Sequence, residues 1–266
     1  MDRQGKSSTG AGLKGALWFG LPLVAAAAVW QLLVGIGVLD ERLTPAPTHI
    51  VGRLADLATA RGDYLLWTNL GASAGRVLPA LLIAAVIGTL IGVLIGLSHV
   101  ANDYFSAILG FLLPLPAVAW TPVFVVSIGR GYPTMVIVLV LGAVFPIIYN
   151  VMVGVQGIAE RQIWALQSMG GSRREVLIRV VLPAAWPSIL TGLRLGMGHA
   201  WRTLVAVELL TAAVTGLGAL IFNARSSMDT TTMYAAIVTL AAVGLLIDNT
   251  IFRLWENRTI GRWGES

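Results

Sequence analysis

Five stretches of the chain contain no charged residue: 16–39, 77–98, 104–129, 131–159 and 230–247. A sixth apolar stretch, roughly 187–214, is interrupted only by Arg194, Arg202 and Glu208. A hydrocarbon core of about 30 Å is crossed by about 20 helical residues, and each stretch has that order of length. Backbone polar groups in lipid must be satisfied within their own segment, so each is read as a helix. The pattern therefore predicts an all-α integral membrane protein with six transmembrane helices. It divides into a tail at 1–15, a first anchor at 16–39, a polar segment at 40–70, a core at 71–256 and a tail at 257–266. A cleavable signal is the other reading of Ala16 to Leu39, which includes the small patch Ala25 to Ala28. At 24 residues the run exceeds a signal core, which favours a retained anchor.

Composition strengthens this picture. The chain is 56% hydrophobic and 12% charged over 266 residues. A soluble domain carries roughly 25% charged residues, about twice as many. There is no cysteine, and the three histidines are scattered, which disfavours thiolate chemistry and a histidine metal site. The net charge of +5 comes from basic residues that flank apolar runs, as orientation signals do, rather than from a nucleic-acid face.

With the N-terminus inside, ten arginines and lysines fall on the cytoplasmic side: Arg3, Lys6, Lys14, Arg161, Arg173, Arg174, Arg179, Arg253, Arg258 and Arg262. Five fall outside: Arg42, Arg53, Arg61, Arg130 and Arg225. Both termini and the loop near 160–186 are expected in the cytoplasm.

The segments between and within the runs add detail. In 40–70, Pro45 and Pro47 hold the chain extended, and Ile50, Leu54 and Leu57 then recur at helical spacing. A short amphipathic helix on the outer membrane face is expected. Gly88, Gly92 and Gly96 stand four apart, as do Gly192 and Gly196. Such stripes admit a close helix, either within the chain or in a second copy. Pro114, Pro116 and Pro122 would kink the third span, which is expected inside the bundle either lining a route or bending to pack.

The stretch "SMGGSRREVLIRVVLPAAWPS", 168–188, interrupts the apolar pattern most sharply. Gly170 and Gly171 can end a helix in the left-handed conformation. Ser172 and Glu175 then form a capping-box pattern. Val176, Leu177, Val180 and Val181 make an apolar stripe, and Pro183 and Pro187 are expected to end the element before the fifth span. This elbow is more elaborate than a connection requires and suits docking to something outside the membrane.

Here the chain resembles a known family. Permease subunits of bacterial ATP-binding-cassette importers carry E-A-A, three residues, G, nine residues, I-x-L-P. This chain has Trp164-Ala165-Leu166, three residues, Gly170, nine residues, Val180-Val181-Leu182-Pro183. Ala165, Gly170, Leu182 and Pro183 match, while Glu has become Trp164, the second Ala has become Leu166 and Ile has become Val180. The blocks "PAVAWTPVFVVSIGRG", "GAVFPIIYNVMVGVQGI", "LPAAWPSILTGLRLGMGHAWRTLVAVELL", "GLGALIFNARSSMDT" and "ENRTIGRWG" are similar to the nitrate/sulfonate/taurine branch over roughly 65–264.

The resemblance implies a type I importer permease fold, with 160–186 as a cytoplasmic coupling helix region in a bacterial inner membrane. Coupling would involve Ala165, Gly170, Gly171, Ser172, Glu175, Leu182 and Pro183. It further implies a pair of ATPase subunits, a periplasmic or lipid-anchored solute-binding protein and a second permease copy. ATP and magnesium would be held by the ATPase, with no cofactor on this chain. The solute would be a small anion such as a sulfonate, taurine, nitrate or bicarbonate, with a neutral pyrimidine or aromatic acid as the alternative.

Ionisable groups within spans are costly and usually face the interior, a cavity or a partner. Glu208 could lock the bundle through an arginine or shape a route. His199 and Arg202 share a helix face, which would suit an anion, although Arg202 could instead serve a neighbouring carbonyl or carboxylate. Together with Pro116 and Pro122, these three are the candidate path residues. Asp248 is expected to cap or pair locally. "GKSS" at Gly5 to Ser8 resembles the end of a phosphate-binding loop but lacks room for the rest of it. An ion-coupled secondary transporter would show inverted repeats, and a membrane enzyme would show convergent catalytic groups. The sequence displays neither.

Overall fold

The computed structural model describes residues 8–211 and 213–248, with side chains from residue 21 onward. The tails at 1–7 and 257–266, with Arg253 and the block "ENRTIGRWG", lie outside the described residues. Among the described residues, all regular structure is helical. In chain order the helices are α1 (Ser8–Gly35), α2 (Pro47–Ala58), α3 (Leu65–Gly96), α4 (His99–Leu112), α5 (Thr121–Ile128) and α6 (Tyr132–Gln156). They continue with α7 (Glu160–Ser168), α8 (Arg173–Val176), α9 (Leu182–Leu210), α10 (Leu217–Ser226) and α11 (Thr230–Leu246).

α6 lies at the centre. Val138, Leu139, Ala143, Ile147 and Val151 along it are fully buried. The two glycine stripes explain why: a Cβ on Gly88, Gly92 or Gly96 would stand 2.7 Å from Ile147, Val151 or Val155, respectively. On the opposite flank, a Cβ on Gly196 would lie 2.9 Å from the Ala143 carbonyl, and one on Gly192 would lie 3.2 Å from Ile147. Lipid supplies no hydrophobic drive between helices, so close backbone approach of this kind is what holds them. Both stripes are used within the chain.

These contacts also fix direction. Gly88, Gly92 and Gly96 meet α6 in ascending order, so α3 and α6 run parallel. Near the start of α6, Tyr132 donates to the Gly75 carbonyl at 3.1 Å. The intervening α4 and α5 must therefore carry the chain back from one end of the bundle to the other. α9 runs opposite to α6, since Gly154 abuts Ser188 and Gly142 abuts Thr203. α11 runs opposite to α9, with Trp201 Nε1 donating to the Leu240 carbonyl at 3.0 Å and Arg194 bonding Asp248 at 2.6 Å.

Among the described residues, three helical stretches are long and apolar enough to cross a membrane: α3, α6 and Arg173–Leu210. α4 with α5 makes a fourth if the bent pair is one span, and Leu21–Gly35 and α11 are shorter apolar helices. The third span expected at 104–129 is thus not one kinked helix. Its prolines split it into two helices bent by 82°, joined through a tight turn at Ala117–Trp120. Its first half, α4, lies outside this chain's bundle with Leu109 its one buried residue, whereas Thr121 is buried and Ala117, Val118 and Phe124 pack on α6 and α9.

Two further expectations change. α3 begins at Leu65 rather than near Val77, so its first three turns carry polar residues inward. Pro183 and Pro187 do not end the elbow helix. Arg173–Leu210 is continuous, passing through a π-helical turn at Leu177–Val181. Pro183 follows directly on the π-helical turn, whose widened backbone accommodates its missing N–H, and Pro187 lies inside α9.

α2 takes its place at the end of the bundle opposite α7 and α8. Its apolar stripe is covered by protein rather than offered to the membrane: Ile50 and Leu57 are buried with Leu66 and Ala235. Arg53 donates to Thr232 Oγ1 at 2.7 Å and pairs with Asp229 at 3.3 Å, fastening α2 to the start of α11. Partial burial opposes ionisation of Asp229. The Thr232 hydroxyl and amide and the Arg53 guanidinium outweigh it, holding the carboxyl below its ordinary value.

Candidate functional site

The elbow between α6 and α9 is built by backbone requirements. Gly170 has φ +86°, and its N–H donates to the Gln167 carbonyl at 2.9 Å. Gly171 donates to the Leu166 carbonyl at 3.0 Å, and a Cβ there would stand 2.7 Å from that oxygen. One glycine supplies a left-handed turn and the other permits close approach. Ser172 caps α8 by accepting the Glu175 N–H at 3.3 Å, while Glu175 Oε2 accepts the Ser172 N–H at 2.9 Å. This is the reciprocal capping box.

The elbow has two faces. Ile163 and Leu166 turn inward onto the core with Val176, Leu177 and Val181. Trp164 is 61% exposed and Met169 84%, with Ala165, Arg173 and Arg174 exposed beside them. Leu182 is half-buried and Pro183 exposed where α9 begins. Large apolar side chains presented among arginines are the composition of a docking surface.

A second arrangement surrounds Glu208, which is 1% exposed. Its Oε1 receives hydrogen bonds from Ser73 at 2.8 Å and Arg76 at 2.5 Å, and its Oε2 receives the Gly218 N–H at 2.7 Å. Ser73 Oγ also accepts the Leu217 N–H at 2.9 Å, and Asn69 Oδ1 accepts the Gly216 N–H at 2.8 Å. Three successive amides at the start of α10 are thereby satisfied by side chains of α3 and α9. Glu208 is a structural centre that pins three helices together. Arg76 and Ser73 are not legible as its partners in the sequence, because Arg76 marks the edge of an uncharged run. The signal available was Glu208 itself, since a carboxylate in a span requires a cation.

A third place is a cavity of about 260 Å³ beneath the break between α4 and α5. Its wall includes Pro114 and Pro116 from the break, Phe145 from α6, and His199, Arg202 and Thr203 from α9. The structure thus brings Pro116, His199 and Arg202 together. It leaves Glu208 and Pro122 off this wall, with Pro122 exposed in the first turn of α5. Arg202 Nε donates to the Gly198 carbonyl at 2.9 Å. An arginine within a spanning helix is costly, so its presence calls for a role.

Comparison with known proteins decides the family. A family profile described as "Binding-protein-dependent transport system inner membrane component" matches residues 84–259. The chain belongs to this family. The permease is 36% identical to the putative aliphatic sulfonates transport permease protein SsuC of Escherichia coli K12, over 91% of each chain. It is 33% identical to the taurine transport system permease protein TauC of the same organism, over 83% of this chain and 80% of the relative. The fold is similar to that in an inward-facing structure of the MetNI methionine ABC transporter. That match has a TM-score of 0.54 at 22% identity, over 72% of the permease and 98% of the other chain. The permease is an integral, multi-pass component of an ABC importer in the nitrate/sulfonate/taurine branch, and its relatives are transport components rather than catalysts.

Proposed function

We propose that this permease forms the pathway through which a small anionic solute, received from an extracytoplasmic binding protein, enters the cytoplasm by alternating access. ATP, with magnesium, is hydrolysed on a pair of separate ATPase subunits that grip the elbow. The chain crosses the bacterial inner membrane six times with both termini cytoplasmic, and two copies enclose the path. The anionic character of the solute follows the taurine and sulfonate relatives and the cationic wall of the cavity.

One observation carries this reading: the elbow's inner face is fixed to the bundle while Trp164 and Met169 stand exposed on its outer face. Such a surface transmits force only if a partner covers it. The largely exposed apolar side chains of Val100, Tyr104, Phe111 and Val126 on α4 and α5 leave room for lipid or the second copy.

The test is ATP hydrolysis by the permease reconstituted with its ATPase in proteoliposomes. Stimulation by the liganded binding protein, abolished by Trp164→Glu, is expected. Uptake driven by a proton or sodium gradient without nucleotide would instead make the chain a secondary transporter.

A further inference from the structure

The cavity beneath the helix break is charged in one sense only. Its wall holds His199 and Arg202 and no carboxylate. Arg202 uses Nε on the Gly198 carbonyl, and neither Nη has a hydrogen-bond partner among the described residues. Arg202 also lines a second cavity of about 380 Å³ between α9 and α11. The other charged residues there, Arg194 and Asp248, bind each other through two contacts of 2.6 and 2.9 Å. Along this face of α9, the charge of Arg194 is answered by a carboxylate, whereas that of Arg202 is not.

We infer that Arg202, with His199, is a selectivity station within the permease that recognises the oxyanion group of the passing solute. This inference rests on reading the chain as an anion importer and adds a site of discrimination beyond the binding protein. A guanidinium tied at Nε keeps two Nη groups to offer a planar or tetrahedral oxyanion, and the imidazole and the Thr203 hydroxyl supply further donors. Arg202 and His199 are exposed within this chain, and the charge of Arg202 on this wall attracts anions and repels cations. Drug-sized ligands need pockets of about 300 Å³ or more. At about 260 Å³ the cavity suits a solute of few heavy atoms. Pro114 and Pro116 lack a backbone donor and stand at the break on the facing wall.

The experiment uses the assembled permease–ATPase complex in phosphatidylcholine nanodiscs, without nucleotide. The probe is trifluoromethanesulfonate, followed by line broadening in fluorine NMR and competed with methanesulfonate. Arg202→Gln should weaken probe binding roughly tenfold, as expected for losing a charged hydrogen-bond partner, and His199→Gln should weaken it less. Arg202→Lys should recover part of the loss, because it keeps the charge but not the fork. Arg130→Gln, at an exposed arginine away from the cavity, should change nothing. Undiminished binding in both Arg202→Gln and His199→Gln would overturn the inference, as would no broadening in the unaltered complex. Displacement of the probe by phosphatidylglycerol but not by methanesulfonate would assign the site to a lipid headgroup and overturn it too. Because no nucleotide is present, a failure of ATPase coupling leaves this result standing, and the two readings fail separately.

Discussion

Arg76 on α3 and Glu208 on α9 are joined 2.5 Å apart, although 131 residues separate them along the chain and both are buried. Glu208 also holds the first turn of α10. Removing one partner strands the other charge in a low-dielectric interior, which typically costs about 3–5 kcal/mol. Arg76→Ala and Glu208→Ala should each lower thermal stability in detergent by an amount of that order. The double variant Arg76→Met with Glu208→Leu should be less destabilised than either. If the single variants melted like the parent, the pair would not be the centre described here.

The glycines of α3 make opposite predictions on one helix. A Cβ at Gly92 would meet Val151 at 2.7 Å and the Ile148 carbonyl at 2.8 Å. Gly92→Ala should destabilise by about 1–3 kcal/mol, the range for overpacking. At Gly71 a Cβ meets nothing within 4 Å, so Gly71→Ala should stabilise by about 0.5–1 kcal/mol through helix propensity. Thermal unfolding of the two variants side by side checks both signs.

Gly170 is held at φ +86° with open space around its missing side chain, so the penalty for substitution is conformational rather than steric. Gly170→Val should cost about 1–2 kcal/mol at the elbow. It should weaken co-purification of the ATPase while membrane insertion persists. Gly157→Ala, in ordinary helical backbone with its nearest neighbour at 3.5 Å, is the matched control. Normal ATPase association in Gly170→Val would count against the elbow as the docking element.

The clamp between α2 and α11 should respond to acid. Asp229 has a folded pKa below its unfolded value of about 3.9. Its contribution is therefore complete above that value and lost as pH falls through the lower folded one. The protection factors of amides at the start of α11, corrected for the intrinsic pH dependence of exchange, should be steady from neutral pH to about 5 and fall only below about 4. Asp229→Asn should show the lower protection above about pH 5, and the difference should close below about pH 4.

Much of this architecture was readable from residue pattern. The glycines at 88, 92 and 96 announced a close helix neighbour, and the capping box at Ser172 and Glu175 formed as its spacing required. What the pattern missed has two physical sources. Arg76 stands just before the uncharged run at 77–98, where charge ordinarily marks the interface, yet a buried partner makes the same charge internal. Pro183 and Pro187 read as terminators in the sequence, but the helix continues through both, with a widened turn directly before Pro183. Three of the five path residues converge on one cavity; Glu208 could not be separated from them in sequence because a span carboxylate reads alike in either role.

The unbroken stretch from Arg173 to Leu210 has 38 residues. At 1.5 Å per residue it is a rod of about 57 Å, longer than the hydrocarbon layer is thick. Its midpoint falls at Gly192, where a Cβ would press on Ile147 of α6 at 3.2 Å. Because α6 abuts this rod on both sides of that point, at Ser188 and at Thr203, the elbow and the Glu208 end belong to one packed pair of helices.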